Sequence, residues 1–97
     1  MITSTDIGTL ITRNPNIRGG RPIIAGTGVT VRRIAVYSKM GLSPEEIVDV
    51  FGHITLAQVY AALAYYHANR DEIEADLAEE EEAAKAAEEA ERARKKV

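Results

Sequence analysis

The chain is predicted to be α+β and mostly α, on three observations. Two helix starts follow each other at Ser43 and Thr55, glycine- and proline-punctuated apolar runs fill the first 30 residues, and neither Gly nor Pro occurs after residue 52. The expected layout is a short N-terminal β-hairpin, a three-helix core containing a helix-turn-helix, and a long C-terminal helix. At 97 residues there is room for one small domain, expected over residues 1–69, followed by an acidic helical tail over 70–97.

Before the hairpin, Met1 to Asp6 has neither a basic flank nor an apolar core and is not read as a signal peptide. Ile7 to Thr12 leans apolar. Arg13-Asn14-Pro15-Asn16 is dense in turn formers, and Pro15 pushes Asn14 out of the helical region. Gly19-Gly20 and Gly26-Thr27-Gly28 are further turn signals around Arg21-Pro22-Ile23-Ile24, which reads as extended, with Pro22 confining it to an edge or a strand start. Residues 9–29 are therefore expected to form a small β-hairpin or a pair of β-arms.

The first helix is expected from Val31 to Met40, capped by Thr30, stapled by Val29 and Ile34, and ended by Gly41. It would bury Val31, Ile34, Ala35 and Tyr37 or Ser38. The second follows a capping box: Ser43 accepts from the N–H of Glu46, Glu46 reaches back, and Pro44 takes the first helical position. Leu42 and Ile47 form its staple, Ile47, Val48 and Phe51 its buried face, and Gly52 its left-handed exit. The third repeats the pattern with Thr55, Gln58, Ile54 and Val59, and is expected to bury Val59, Tyr60, Leu63 and Tyr66 or His67. No terminator follows His67. Ala-rich composition and the Glu81–Lys85, Glu88–Arg92 and Glu91–Lys95 pairs predict helix to about residue 90.

The net charge of −3 conceals an asymmetry. Residues 1–70 hold seven basic and four acidic side chains, residues 71–97 five basic and eleven acidic. A basic body with an acidic tail implies two kinds of partner, or a tail that shields the body. For DNA, phosphate contacts would come from Arg13, Arg18, Arg21, Arg32, Arg33 and Lys39, and base contacts from Thr55, Ala57, Gln58 and Ala61 at the start of the third helix. Against this, Gln58 serves equally as a plain cap, and the arginines as a solvated face. For a protein partner, Tyr66, Ile73 and Leu77 would fill an apolar groove, with Asp76, Glu79 and Glu80 meeting basic residues; the alternatives are a dimerising coiled coil and a solubilising helix.

Several functions are disfavoured. The chain has no cysteine, hence no disulfide framework or thiolate chemistry, and no apolar run of membrane-spanning length. His53 and His67 fall in different elements with no carboxylate pair at ligand spacing, so no metal or other cofactor is expected. Gly20 to Gly28 lacks the Lys-Ser/Thr ending of a phosphate loop, and no catalytic triad stands out, so neither an enzyme nor a small-molecule substrate is expected.

The runs Ile11-Thr12-Arg13-Asn14-Pro15, Gly19 to Thr27, Val29-Thr30-Val31, Gly41 to Ile47 and Leu56 to Tyr66 together resemble the bacterial domain-of-unknown-function family 433. The resemblance covers roughly residues 10–68. It implies a homeodomain-like or winged helix-turn-helix core and, through members that resemble VapB-type antitoxins, a PIN-like ribonuclease toxin as partner. Where the family commonly has Arg after Gly-Thr, this chain has Gly28. The expected function is an antitoxin-like regulator, homodimeric and cytoplasmic, that binds operator DNA and masks the toxin. The alternative is a protein-interaction or dimerisation module with no DNA role.

Overall fold

The computed structural model describes residues 3–95. Its elements run β1 (Ile11–Thr12), β2 (Ile23–Ile24), α1 (Val31–Lys39), α2 (Pro44–Phe51), α3 (Leu56–Ala68) and α4 (Arg70–Lys95), so the fold is α+β and mostly α. The hairpin is minimal. β1 and β2 pair antiparallel with Ile11 opposite Ile24 and Thr12 opposite Ile23, and Ile23 forms a further bridge to Thr30. These few bonds persist because Pro22, Ile23 and Ile24 are buried beneath the helices rather than left as an open edge.

Local chemistry sets the helix starts. The Thr30 hydroxyl accepts from the N–H of Arg33 at 3.2 Å. In the Ser43 box the Ser43 N–H donates to Glu46 Oε1 at 2.8 Å while Ser43 Oγ accepts from the Glu46 N–H at 3.2 Å. Thr55 and Gln58 repeat this at 2.7 and 3.2 Å. Gly52 leaves α2 at φ 75°, a left-handed conformation that a residue with a Cβ adopts only at a cost. The four residues between α2 and α3 turn the chain, and the two helices lie at 115°.

The helix-side members of the three staples, Ile34, Ile47 and Val59, are fully buried. They meet Ile24, Val29, Val31, Ala35, Ile54, Ala62 and Tyr66 in one core. Each fully buried aliphatic side chain stabilises the fold by about 1.5–3 kcal/mol. On α3 the buried face differs from expectation. Tyr60 is 52% exposed, and Ala61 and Ala62 take the inner positions. Their small side chains let α3 lie close against α1, where a tyrosine would hold the helices apart.

A second correction concerns the junction at Asn69, where an unbroken helix was expected. Asn69 adopts φ −134°, ψ 44°, its N–H and side-chain amide both donate to the Tyr65 carbonyl, and its own carbonyl accepts from Ile73. The break redirects α4 so that its first half packs on α1 and α3. Ile73 becomes fully buried and Leu77 packs on the core's edge. The packed body therefore extends past residue 69, to about residue 80. Beyond it α4 projects alone, and the molecule measures 69 × 28 × 24 Å.

Ile73 lies far along the chain yet in the centre of the core, so Ile73→Ala is expected to lower the unfolding free energy by about 2–5 kcal/mol. Urea denaturation followed by far-UV circular dichroism measures this; a loss below about 1 kcal/mol, the level of a typical surface change, would mean that α4 does not dock.

Candidate functional site

The ten residues 71–80 contain six carboxylates and no cation. Helical spacing places Glu72, Asp76 and Glu80 in a row at intervals of four, one above the other on the same face. That row lies along the basic side of the body. Glu72 pairs with Arg13 and accepts from the Tyr65 hydroxyl at 3.0 Å. Asp76 receives Arg21 Nε at 2.8 Å and Arg32 Nη1 at 3.0 Å. Glu80 receives Arg32 Nη2 at 2.8 Å, with Arg33 at 3.7 Å. Glu74, on the neighbouring face, accepts from Lys39 Nζ at 2.7 Å and from the Tyr66 hydroxyl.

These contacts take up five of the six cations that precede residue 70. Arg18 alone points elsewhere, its Nε donating to the Gly28 carbonyl at 3.0 Å. Most of the pairs are half exposed, and each contributes about 0–1 kcal/mol. The Asp76–Arg32 pair is better shielded, at 15% and 18% side-chain exposure, and Asp76 answers two arginines at once. Hydrogen bonds from Lys39, then from Tyr66, hold the Glu74 carboxyl below its ordinary pKa, and the same bond raises that of Lys39. Glu72 raises Arg13 and Asp76 raises Arg21. Burial, then Glu72, raises the Tyr65 phenol.

Several expected site residues are thereby placed differently. Ile73 and Tyr66, proposed to anchor a partner, lie in the chain's own core, while Asp76, Leu77 and Glu80 face the body. None of them is free for a partner while α4 stays docked. Ala61 is only 6% exposed and has no methyl surface to offer a base. Gln58 spends its amide oxygen on the Thr55 N–H. Thr55 and Ala57 are exposed, as the reading requires. Neither α2 nor α3 carries a Lys or Arg, and α2 carries Glu45, Glu46 and Asp49.

One surface was not singled out from the sequence, and another lies within the tail that was expected to bind a partner or to be partly disordered. The first is the outward side of α3, where Leu56 and Tyr60 are 40% and 52% exposed one turn apart. Their i, i+4 spacing was the available signal, obscured by the apolar residues on every side of this helix. The other is the projecting part of α4, in which every residue from Glu81 to Lys95 is exposed. Residues 81–97 hold five acidic and five basic side chains, so the acidity of the tail resides in its docked half. Among the described residues no group of His, Asp or Glu could hold a metal ion, and no single helix is long and apolar enough to cross a membrane.

Residues 11–66 match the family described as Protein of unknown function (DUF433). The crystal structure of a DUF433 member protein from Anabaena variabilis ATCC 29413 is similar, with 26% sequence identity and a TM-score of 0.67 over 72% of this chain and 69% of that one. No curated protein matches.

Removing the carboxylate at Asp76 takes from Arg21 its ion-pair partner and leaves the largely shielded Arg32 with Glu80 alone. Asp76→Ala is expected to destabilise the fold by about 1–3 kcal/mol in urea titrations, against under 0.5 kcal/mol for Glu88→Ala on the projecting helix. The depressed Glu74 pKa sets a pH dependence. Its stabilising contribution is fully present above the ordinary carboxylate range and is lost as pH falls through the lowered value. The melting temperature of the native chain should therefore fall more steeply on acidification than that of Glu74→Gln; parallel pH profiles would count against the Lys39–Glu74 link.

Proposed function

The chain belongs to the DUF433 family, and on that footing we propose that it is an antitoxin-like regulator that works by binding another protein. The projecting half of α4 is its grip. The observation that carries this reading is that every residue of Glu81–Lys95, a continuous helix, is exposed and none of them pairs with the body among the described residues. A lone helix of this length is marginal in water, and its i, i+4 pairs add only about 0.2–0.5 kcal/mol each. A partner surface supplies the packing that the body does not. Leu56 and Tyr60 on α3 offer a second apolar foothold, for that partner or for a second copy in a homodimer. The family resemblance implies a PIN-like ribonuclease as the partner's class. The role is one of binding, not catalysis, in the bacterial cytoplasm.

Operator DNA is the second reading. The 115° angle between α2 and α3 across a four-residue glycine turn favours it. Electrostatics works against it in the docked state. α2 is acidic, α3 has no cation, and the arginines that would meet phosphates are, except for Arg18, held by α4. DNA binding on this reading requires α4 to move, or a dimer to bring other cations together.

Co-expression with the product of the adjacent gene tests the proposal, using the full chain and a truncation after Glu82 that retains Ile73, Leu77 and every pair between α4 and the body. Full-length protein should co-purify with the partner and the truncation should lose most of it, while the two melt within a few degrees of each other. Equal retention by the truncation would take the grip away from the arm. A full-length chain that retains nothing, and runs as a monomer in light scattering, would overturn the protein-binding reading for that neighbour. Fluorescence anisotropy on the upstream DNA, repeated at rising salt, decides the second reading.

A further inference from the structure

A cleft of about 480 Å³ opens between the loop at Gly28, the first turn of α1 and the end of α2. Arg18, Arg32 and Arg33 supply its cations, and Tyr37, Phe51 and His53 form an aromatic side. No carboxylate lines it among the described residues. Three guanidinium groups around one opening repel one another, and two carboxylates of α4 offset part of that, Asp76 on Arg32 and Glu80 on Arg32 and Arg33, while Arg18 has neither. Arg18 also sits at φ 51°, the sole non-glycine residue with positive φ among those described. Its Nε is fixed to the Gly28 carbonyl, and its terminal nitrogens meet an acceptor nowhere else among the described residues. Nothing in the packing of the core requires an arginine in that conformation.

The aromatic side is ordered too. The Tyr37 and Phe51 rings meet edge to face at 5.6 Å, and Phe51 and His53 at 6.4 Å. His53 Nδ1 lies 3.0 Å from the Phe51 carbonyl and donates to it, which leaves Nε2 for a ligand. We infer that this cleft binds a single nucleotide, its phosphate held by Arg18 and Arg33 and its base set against Tyr37, Phe51 and His53. A guanidinium fork matches phosphate oxygens, and aromatic rings accept any base by stacking. An inorganic anion would have no use for the rings, and an apolar ligand none for the arginines. The volume falls within the roughly 300–1,000 Å³ of small-molecule sites and has room for one nucleotide, not for a duplex. The nucleotide comes either free, as a nucleoside 5′-phosphate, or as the phosphorylated end of a single strand. The site is separate from the α4 arm and from the α3 face, so it stands whether or not the partner reading holds.

Isothermal titration of the full chain with the nucleoside 5′-monophosphates, a 5′-phosphorylated RNA tetranucleotide and inorganic phosphate tests the inference. The expected result is saturable 1:1 binding of a nucleotide probe, weaker by about tenfold or more in Arg18→Gly and Arg33→Gln and unchanged in Lys85→Ala. Arg18→Gly suits its backbone conformation and should not unfold the chain. Binding of the monophosphates assigns the free ligand; binding of the tetranucleotide alone assigns a strand end, and either supports the site. No saturable binding of any nucleotide, binding indifferent to both arginine variants, or inorganic phosphate bound as tightly as nucleotide would overturn it.

Discussion

The docking of the first three turns of α4 is the constraint on which the rest of this structure depends. One residue, Asn69, leaves the helical region, and the chain after it lies across the body instead of continuing away. Two kinds of complementarity then coincide in register. Ile73 enters the core, and the carboxylates at 72, 76 and 80 come down on Arg13, Arg21, Arg32 and Arg33. Burial supplies most of the stability, because apolar area is non-directional and unscreened by salt. The ion pairs supply the register, because a slip of one residue would rotate the acidic row by about 100° off the arginines. A domain this small gains from recruiting such an element, since its other three helices alone enclose little core.

How legible this was depended on the range of the interaction that decides each feature. Caps act over three residues, and Ser43–Glu46, Thr55–Gln58 and Thr30 could all be read directly, along with the helices that they begin. The core of α1 followed from spacing. On α3 nearly every position is apolar or small, so periodicity carries no phase, and Tyr60 was placed inside when Ala61 and Ala62 are. The break at Asn69 has a weak local signal, since asparagine ends helices only with tertiary help. What accompanies the break is long-range: Ile73 joins core residues of α1 such as Val31 and Ile34, some forty residues earlier. Charge asymmetry between body and tail was plain in the composition; which carboxylate meets which arginine was not, because pairs such as Arg13–Glu72 span the whole fold.

The same contacts revise what the charges are for. Cations counted along a sequence read as a surface for phosphate, yet here five of six are committed to the chain's own carboxylates. The apparent duality of a basic body and an acidic tail is largely one neutral interface. What remains available to other molecules is smaller and more specific: an exposed helix of mixed charge, two apolar side chains on α3, and a cleft with an arginine that the docking leaves aside. None of these is marked by composition, and each emerges only when the internally satisfied groups are set apart from the rest.

Glu80 joins these surfaces. It is the last residue of α4 that forms an ion pair with the body, the exposed arm begins immediately after it, and both arginines that it meets also line the cleft. An anion entering the cleft draws on the same guanidinium donors and so competes with Glu80 for them. A partner that pulls on the arm acts on the same residue from the other side, lifting it from Arg32 and Arg33. Binding equilibria that share a group are reciprocal: if freeing Glu80 strengthens anion binding, the anion must favour release of that turn by the same factor. The size of the coupling is limited by what Glu80 contributes. At 34% side-chain exposure that contribution is small, so the two sites would tune each other rather than switch each other. Asp76, one turn earlier and more enclosed, keeps the remainder of α4 in place while that exchange occurs.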